Sequence, residues 1–323
     1  MQYTFPWHEQ AWQYLVNRKN LDSLPHAILI GGMSGIGKFI FAKNFASLLL
    51  CQDKPAATPC GTCDACRLLQ ANNHPDLLVV QPEEEGKIIK IDQIREVITD
   101  LNNTSHQGGY KILIIEPAEL LNIAAANALL KTLEEPAPHV VIILVTSHPK
   151  MLSATIRSRC QLLSMAAPKY LAAEAWLKKQ IPDADAALLL ALAENAPLKA
   201  LNLAKDDILL RRQEFFIGLD DFWQDKISLI SMVAQCLDWD LAEFLVVLMY
   251  LVDDMIKIKF NVVQGIVNRD QVVRLTNFAT KASMEKLFSY KDHLCQLRRY
   301  LFNKINLNQQ LIVENLIITW ANL

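Results

Sequence analysis

The stretch AILIGGMSGIGKF, residues 27–39, decides the fold of the first half of the chain. Its apolar start, residues 27–30, predicts a buried strand, and residues 39–50 predict the helix that follows. Between them stands the spacing G-x-x-x-x-G-K, in which loop N–H groups surround a phosphate and the lysine reaches its terminal oxygens. The residues expected to contact a nucleotide are Gly32, Gly35, Gly37 and Lys38.

Short apolar runs alternate with longer helical patterns through the first half of the chain. Because such runs suit strands covered on both faces, they predict an α/β core with a five-stranded parallel sheet over residues 1–166. The predicted strands are 27–30, 77–80, 111–115, 140–145 and 161–164. The predicted helices are 39–50, 91–101, 118–135 and about 151–157.

Proline and glycine are spread unevenly along the 323 residues. Eight of the ten glycines precede residue 110, and the last of the thirteen prolines is Pro197. Since these residues punctuate strands and turns, the last third is expected to be helical. A change of composition near Pro168 predicts a small helical domain at 167–205 and an all-α domain at 206–323.

Charge and composition exclude several classes of protein. The chain has 32 Lys and Arg against 34 Asp and Glu, so an overall basic charge typical of a free-standing nucleic-acid binder is absent. An apolar fraction of 52% excludes disorder. The apolar run at 244–252 is too short to span a bilayer, and residues 1–20 contain no signal-peptide core. We therefore expect a cytoplasmic protein without a membrane partner.

Two positions that nucleotide hydrolysis requires carry unsuitable side chains. Phe39 stands where a P-loop has a Ser or Thr hydroxyl that binds magnesium. After the third strand, in YKILIIEPAE, Glu116 stands at the metal-binding acid and Pro117 at the acid that activates water. The chain is therefore expected to have no intrinsic ATPase activity. Whether it binds ATP stays open, because the loop also suits a glycine turn without a nucleotide.

Four of the seven cysteines lie within sixteen residues: Cys51, Cys60, Cys63 and Cys66. Four thiolates this close suit tetrahedral zinc, and a complete ligand set indicates a structural role. An iron–sulfur cluster is the alternative, although nothing else in the sequence indicates redox chemistry. Disulfides are disfavoured in a cytosolic setting.

The segment SATIRSRC, residues 153–160, places Arg157 and Arg159 directly before the last predicted strand. In an isolated domain such arginines form surface ion pairs. In a ring of such domains this edge faces the nucleotide of the next subunit, where an arginine stabilises phosphoryl transfer in trans. The residues alone do not favour either interpretation.

The order of five segments resembles the clamp-loader branch of the AAA+ ATPases. The segments are LPHAILIGGMSGIGK (24–38), CGTCDAC (60–66), NHPDLLVV (73–80), NALLKTLEEP (127–136) and SRC (158–160). The resemblance is strong to about residue 165, weaker to 205, and beyond that rests on length and helical character. The last two segments are highly specific, whereas the P-loop alone is not.

The resemblance implies a AAA+ core with a zinc knuckle insertion, a helical lid, and a helical collar that joins a five-membered ring. Such a ring places a sliding clamp on primer-template DNA during replication by bacterial DNA polymerase III. It combines gamma- or tau-type motor subunits, a delta-type subunit and a stator that does not hydrolyse ATP. Phe39 and Pro117 favour the stator for this chain, and an active motor of the gamma or tau type is the alternative. A zinc-dependent nucleic-acid-binding module working alone is disfavoured by the neutral charge.

The resemblance also implies roles for individual residues. Arg159 is expected to complete the ATP site of the adjacent motor subunit. Thr146 or Ser147 corresponds to the first sensor of the family. Leu198 stands where an active subunit has its second sensor arginine, which again indicates a chain without ATPase activity of its own.

Overall fold

A computed structural model describes residues 5–53, 57–84, 86–107, 109–303 and 305–323. The chain divides into two compact units. The first comprises Met1–Ala173 with Ala196–Lys199, and the second comprises Glu174–Asn195 with Ala200–Leu323. The division into three domains, with boundaries near 166 and 205, stays a prediction.

A parallel sheet of five strands forms the centre of the first unit, in the order β2-β3-β4-β1-β5. The strands are β1 (Ala27–Gly31), β2 (Leu77–Val80), β3 (Lys111–Ile115), β4 (Val140–Thr146) and β5 (Gln161–Ser164). Ile143 of β4 is in register with Ile28 of β1 and with Ile114 of β3, so β4 lies between them. The predicted α/β fold with a five-stranded parallel sheet is confirmed.

Six α-helices flank this sheet in the described part of the chain. They are α1 (Glu9–Asn20), α2 (Lys38–Leu50), α3 (Asp64–Gln70), α4 (Ile91–Leu101), α5 (Ile123–Glu134) and α6 (Ala154–Arg159). The single helix predicted over 118–135 is wrong, because a short 3-10 helix, Ala118–Leu120, precedes α5. Asn122 begins a new helix there, since its Oδ1 accepts the N–H of Ala125 at 2.7 Å. Ser153 caps α6 in the same way, so that helix starts later than predicted.

Alternate residues of the central strands enter two separate cores. On one face of the sheet, Ile28 packs in a cluster with Phe41 of α2. On the other face, Leu29 packs in a cluster with Leu129 of α5. Since helices cover both faces, the strands are apolar at nearly every position instead of alternating.

The remaining helices include those of the second unit. They are α7 (Tyr170–Gln180), α8 (Ala186–Leu192), α9 (Pro197–Lys205), α10 (Ile208–Trp223), α11 (Leu229–Leu237), α12 (Leu241–Lys259), α13 (Val272–Lys281), α14 (Met284–Phe302) and α15 (Gln309–Ala321). Within the second unit α12 packs against α13 and α14, and α11 packs against α15. Every regular element that the structure describes after Pro197 is helical, as predicted. Among the described helices none is long and apolar enough to cross a membrane.

A buried carboxylate joins α12 to the segment before α13. Asp254 is fully buried and accepts the backbone N–H groups of Val267 and Asn268 at 3.1 and 2.8 Å. Arg212 of α10, also buried, donates from Nε to Oδ1 of Asn268 at 3.0 Å and forms an ion pair with Asp270. The buried groups of Asp254, Asn268 and Arg212 thus have partners within the helical core, while Asp270 pairs with Arg212 from the exposed side.

Candidate functional site

The predicted P-loop lies between the end of β1 and the start of α2. Gly35 and Gly37 have φ angles of +74° and +86°, in the left-handed region that favours glycine. Ser147 directly follows β4, the strand beside β1, so the parallel sheet brings it to the same edge as the loop.

The amine of Lys38 is buried and bonded to the protein itself. Its Nζ donates to the carbonyl of Met33 at 2.7 Å and to Oγ of Ser147 at 3.0 Å. Burial lowers the pKa of Lys38 to about 8, although the negative charges of Glu119 and Glu116 oppose the shift. The predicted loop lysine and one of the two sensor-like residues are therefore in direct contact.

Glu119 is a residue of this site that the sequence reasoning missed. Its Oε1 accepts the N–H of Ser147 at 3.0 Å, and its Oε2 is buried with no partner among the described residues. Its signal in the sequence is the second acid of EPAE, residues 116–119. Glu116 itself accepts a hydrogen bond from Nε2 of Gln81 at 2.8 Å.

The other predicted residues of this edge provide no catalytic group. Phe39 packs against the first core, and Nζ of Lys43 lies 5.6 Å from its ring centroid. Pro117 precedes the short 3-10 helix after β3. Thr146 is buried, and its Oγ1 accepts the N–H of His148 at 3.0 Å.

Side chains of the first unit cover the loop glycines. A Cβ added to Gly37 would lie 2.6 Å from a ring carbon of Phe5 and 3.1 Å from Cδ1 of Leu198. A Cβ added to Gly35 would lie 2.9 Å from Cβ of Ala196. The N–H of Leu198 also donates to the carbonyl of Gly35 at 3.0 Å. The loop is thus packed against the protein's own residues.

The N-terminal segment is bonded to the same loop. Nε1 of Trp7 and Nε2 of His8 both donate to the carbonyl of Ile36, each at 2.8 Å. Burial lowers the pKa of His8 to about 4, so the ring stays neutral at physiological pH. These contacts join residues far apart in the chain, and no pattern in the sequence indicates them.

The four predicted metal ligands, Cys51, Cys60, Cys63 and Cys66, come together in the structure. Their Sγ atoms lie within 4.8 Å of one another. The Cys51–Cys63 and Cys60–Cys66 sulfur distances are 3.9 and 3.8 Å. A tetrahedral ion with metal–sulfur bonds of about 2.3 Å requires sulfurs about 3.8 Å apart. The cluster therefore has the dimensions of a four-thiolate metal site.

Backbone N–H groups point at these sulfurs. Cys63 N donates to Sγ of Cys60 at 3.3 Å, and Cys66 N donates to Sγ of Cys63 at 3.4 Å. Gly61, with a φ of +76°, lets the chain turn between the ligands. Such N–H···S bonds stabilise thiolates and orient them toward a metal.

Arg159 is the last residue of α6, and its partners lie on α5 and α6 rather than on the P-loop. Its Nε donates to Oε1 of Glu134 at 2.6 Å, and its Nη1 donates to the carbonyl of Thr155 at 2.9 Å. The nearby Arg157 is exposed. The structure therefore does not bring Arg159 into the group formed by Lys38 and Ser147.

Comparisons with family models and with related proteins agree on one family. A family model described as "DNA polymerase III, delta subunit" matches residues 7–169, and one described as "DNA polymerase III, delta subunit, C terminal" matches residues 206–322. The DNA polymerase III subunit delta-prime of Pseudomonas aeruginosa is 34% identical, covering 99% of this chain and 98% of the relative. That of Escherichia coli is 31% identical, covering 97% and 94%.

Solved structures include a DNA polymerase III gamma subunit-related protein from Thermotoga maritima. It has 22% identity and a TM-score of 0.48, covering 95% of this chain and 98% of that one. The family model and the two delta-prime relatives together span nearly the whole sequence. The chain therefore belongs to the delta-prime family of DNA polymerase III subunits.

Proposed function

We propose that the chain is a stator-type subunit of the DNA polymerase III clamp loader and that it does not hydrolyse ATP. The observation that carries this proposal is the packing of the P-loop, in which Gly37 lies against Phe5 and Leu198 and Gly35 lies against Ala196. The amine of Lys38 is also bonded within the protein. A nucleotide would have to replace these contacts before it could bind.

The chemistry of two side chains supports the absence of hydrolysis. Phe39 has no hydroxyl to bind magnesium, and Pro117 has no carboxylate to activate water. Glu119 lies two residues after Pro117, and its Oε1 accepts the N–H of Ser147. The chain thus acts as an accessory subunit of a DNA-directed DNA polymerase holoenzyme.

An ATPase assay on the purified chain tests this proposal against the alternative of an active gamma- or tau-type motor. We expect no steady-state release of phosphate above the background without protein. The positive control is a gamma-type subunit at the same concentration. Turnover comparable to that control would contradict the proposal and support the motor.

Arg159 has the catalytic role in this proposal, which it performs on the ATP of the adjacent motor subunit. Its side chain is 32% exposed at the end of α6 and can therefore reach another molecule. An arginine supplied in trans neutralises the charge that develops on the transferred phosphoryl group.

Arg159→Ala should slow ATP turnover by the assembled loader while leaving assembly intact. We expect a loss of about 10³-fold at the one ATP site that Arg159 completes. The total turnover falls less, because the other sites of the ring keep their own arginines. Arg157→Ala, an exposed arginine on the same helix, is the control. Unchanged turnover with Arg159→Ala would remove the role in trans.

The partners follow from the same proposal. We place the chain in the cytoplasm, in a five-membered ring with gamma- or tau-type and delta-type subunits that loads a sliding clamp on primer-template DNA. Residues 167–205 act as the lid and residues 206–323 as the collar that joins the ring. Zinc in the four-cysteine cluster has a structural role, since its four ligands leave no open position for chemistry. Co-assembly of the purified chain with both partner types tests the ring.

A further inference from the structure

Arg159 is held by a carboxylate at the end of a neighbouring helix. Its Nε donates to Oε1 of Glu134 at 2.6 Å, and its Nη2 contacts the same oxygen. Its Nη1 donates to the carbonyl of Thr155 at 2.9 Å. A guanidinium has five N–H donors, and three of them have these partners. The other two N–H groups have no partner among the residues that the structure describes, and the side chain is 32% exposed.

Glu134 occupies a position that local helix preference disfavours. It is the last residue of α5, where the helix carries a partial negative charge and a carboxylate is unfavourable. Arg159 is the last residue of α6, where a cation is favourable. A side chain that opposes the local preference of a helix is expected at a functional site. Here the positive charge of Arg159 compensates the negative charge of Glu134.

The backbone on both sides of this ion pair is fixed. Leu133, next to Glu134, is buried, and its carbonyl accepts a hydrogen bond from Nε2 of His26 at 2.9 Å. Ile156 of α6 is buried in the same core as Leu133. Since both helix ends are anchored, the ion pair between them restricts the orientation of the guanidinium.

From this geometry we infer that Glu134 is a positioning residue, which orients Arg159 in advance toward the charge that develops on the transferred phosphoryl group of the adjacent subunit. The inference rests on the proposed role of Arg159 in trans. An arginine side chain without a partner loses much rotamer entropy when it binds a phosphate. A side chain that is already held in an ion pair has lost this entropy before the phosphate binds. The side chain of Arg159 is 32% exposed and that of Glu134 is 49% exposed, so solvent weakens their ion pair. A phosphate oxygen can therefore replace one of the two contacts of Arg159 with Glu134.

The test compares clamp loaders assembled from full-length subunits that carry Glu134→Ala, Glu134→Gln or Arg159→Ala. We expect Glu134→Ala to lower kcat for ATP toward the value for Arg159→Ala, with KM unchanged, because the arginine acts on charge in the transition state. Glu134→Gln keeps an acceptor for Nε and should recover part of the loss. The matched control is Glu135→Gln, since Glu135 is the adjacent exposed carboxylate.

The double variant separates positioning from a general structural effect. In the Arg159→Ala background, Glu134→Ala should cause no further loss, because it acts only through the arginine. Additive losses, a lower Tm with unchanged kcat, or faster turnover with Glu134→Ala would each overturn the inference. If Arg159→Ala slows turnover and Glu134→Ala does not, the positioning role alone fails. If Arg159→Ala leaves turnover unchanged, the role in trans and this inference fail together.

Discussion

Cys63→Ser should remove the metal from the four-cysteine cluster, lowering zinc content from about one ion per chain to near zero. Serine keeps the shape of the side chain but offers no thiolate. Cys63 also caps the start of α3, where its sulfur accepts the N–H of Cys66 at 3.4 Å. Loss of the metal should therefore unfold residues 57–70, since metal-binding energy of about 10 kcal/mol or more contributes to folding at structural zinc sites. Metal analysis of the purified protein and limited proteolysis of this segment measure both effects.

The control for this experiment is Cys295→Ser. Cys295 lies in α14, outside the cluster, so its replacement should leave zinc content and the protease sensitivity of residues 57–70 unchanged. Treatment of the wild type with a chelator should reproduce the effect of Cys63→Ser. A wild-type protein that contains no zinc after purification with zinc present would contradict the metal assignment.

Asp254→Ala should lower the unfolding free energy of the helical unit by about 3 kcal/mol, because it leaves buried N–H donors without their acceptor. Asp254 is fully buried and accepts hydrogen bonds from Nζ of Lys257 at 3.0 Å and from the backbone of Val267 and Asn268. Alanine removes the acceptor of the backbone N–H groups of Val267 and Asn268, whereas Nζ of Lys257 keeps the carbonyl of Gly265 at 2.6 Å. Urea unfolding followed by circular dichroism measures the change.

Asp253→Ala is the matched control for this variant. Asp253 is the neighbouring acid of α12, and its ion pair with Lys291 has side chains that are 29% and 35% exposed. Because water screens such a pair, its loss should cost about 1 kcal/mol or less. Equal losses in the two variants would show that the buried network around Asp254 does not stabilise the unit as described.

The strands of the sheet could be predicted from the sequence because helices cover both faces of the sheet. Each strand is therefore a continuous run of apolar residues. Continuous apolar runs located all five strands to within one residue at either end. The cysteine spacing likewise predicted a cluster that the structure brings within ligand distance. Patterns of this kind are local, since a few neighbouring residues are enough to show them.

Contacts between distant residues could not be predicted in this way. The bonds from Trp7 and His8 to the carbonyl of Ile36 depend on how α1 packs beside the P-loop. The ion pair of Glu134 with Arg159 depends on the shared core of α5 and α6. Tertiary packing decides such contacts, and a single sequence has no periodic signal for them.

Burial of the Lys38 amine makes proton binding at the P-loop sensitive to a bound phosphate. The pKa of an ordinary lysine is about 10.4, whereas burial lowers the pKa of Lys38 to about 8. A phosphate that displaced the Met33 carbonyl would favour the charged amine and raise its pKa. Phosphate binding would then take up protons from mildly alkaline solution, so the affinity of the loop for phosphate declines as the pH rises above this value.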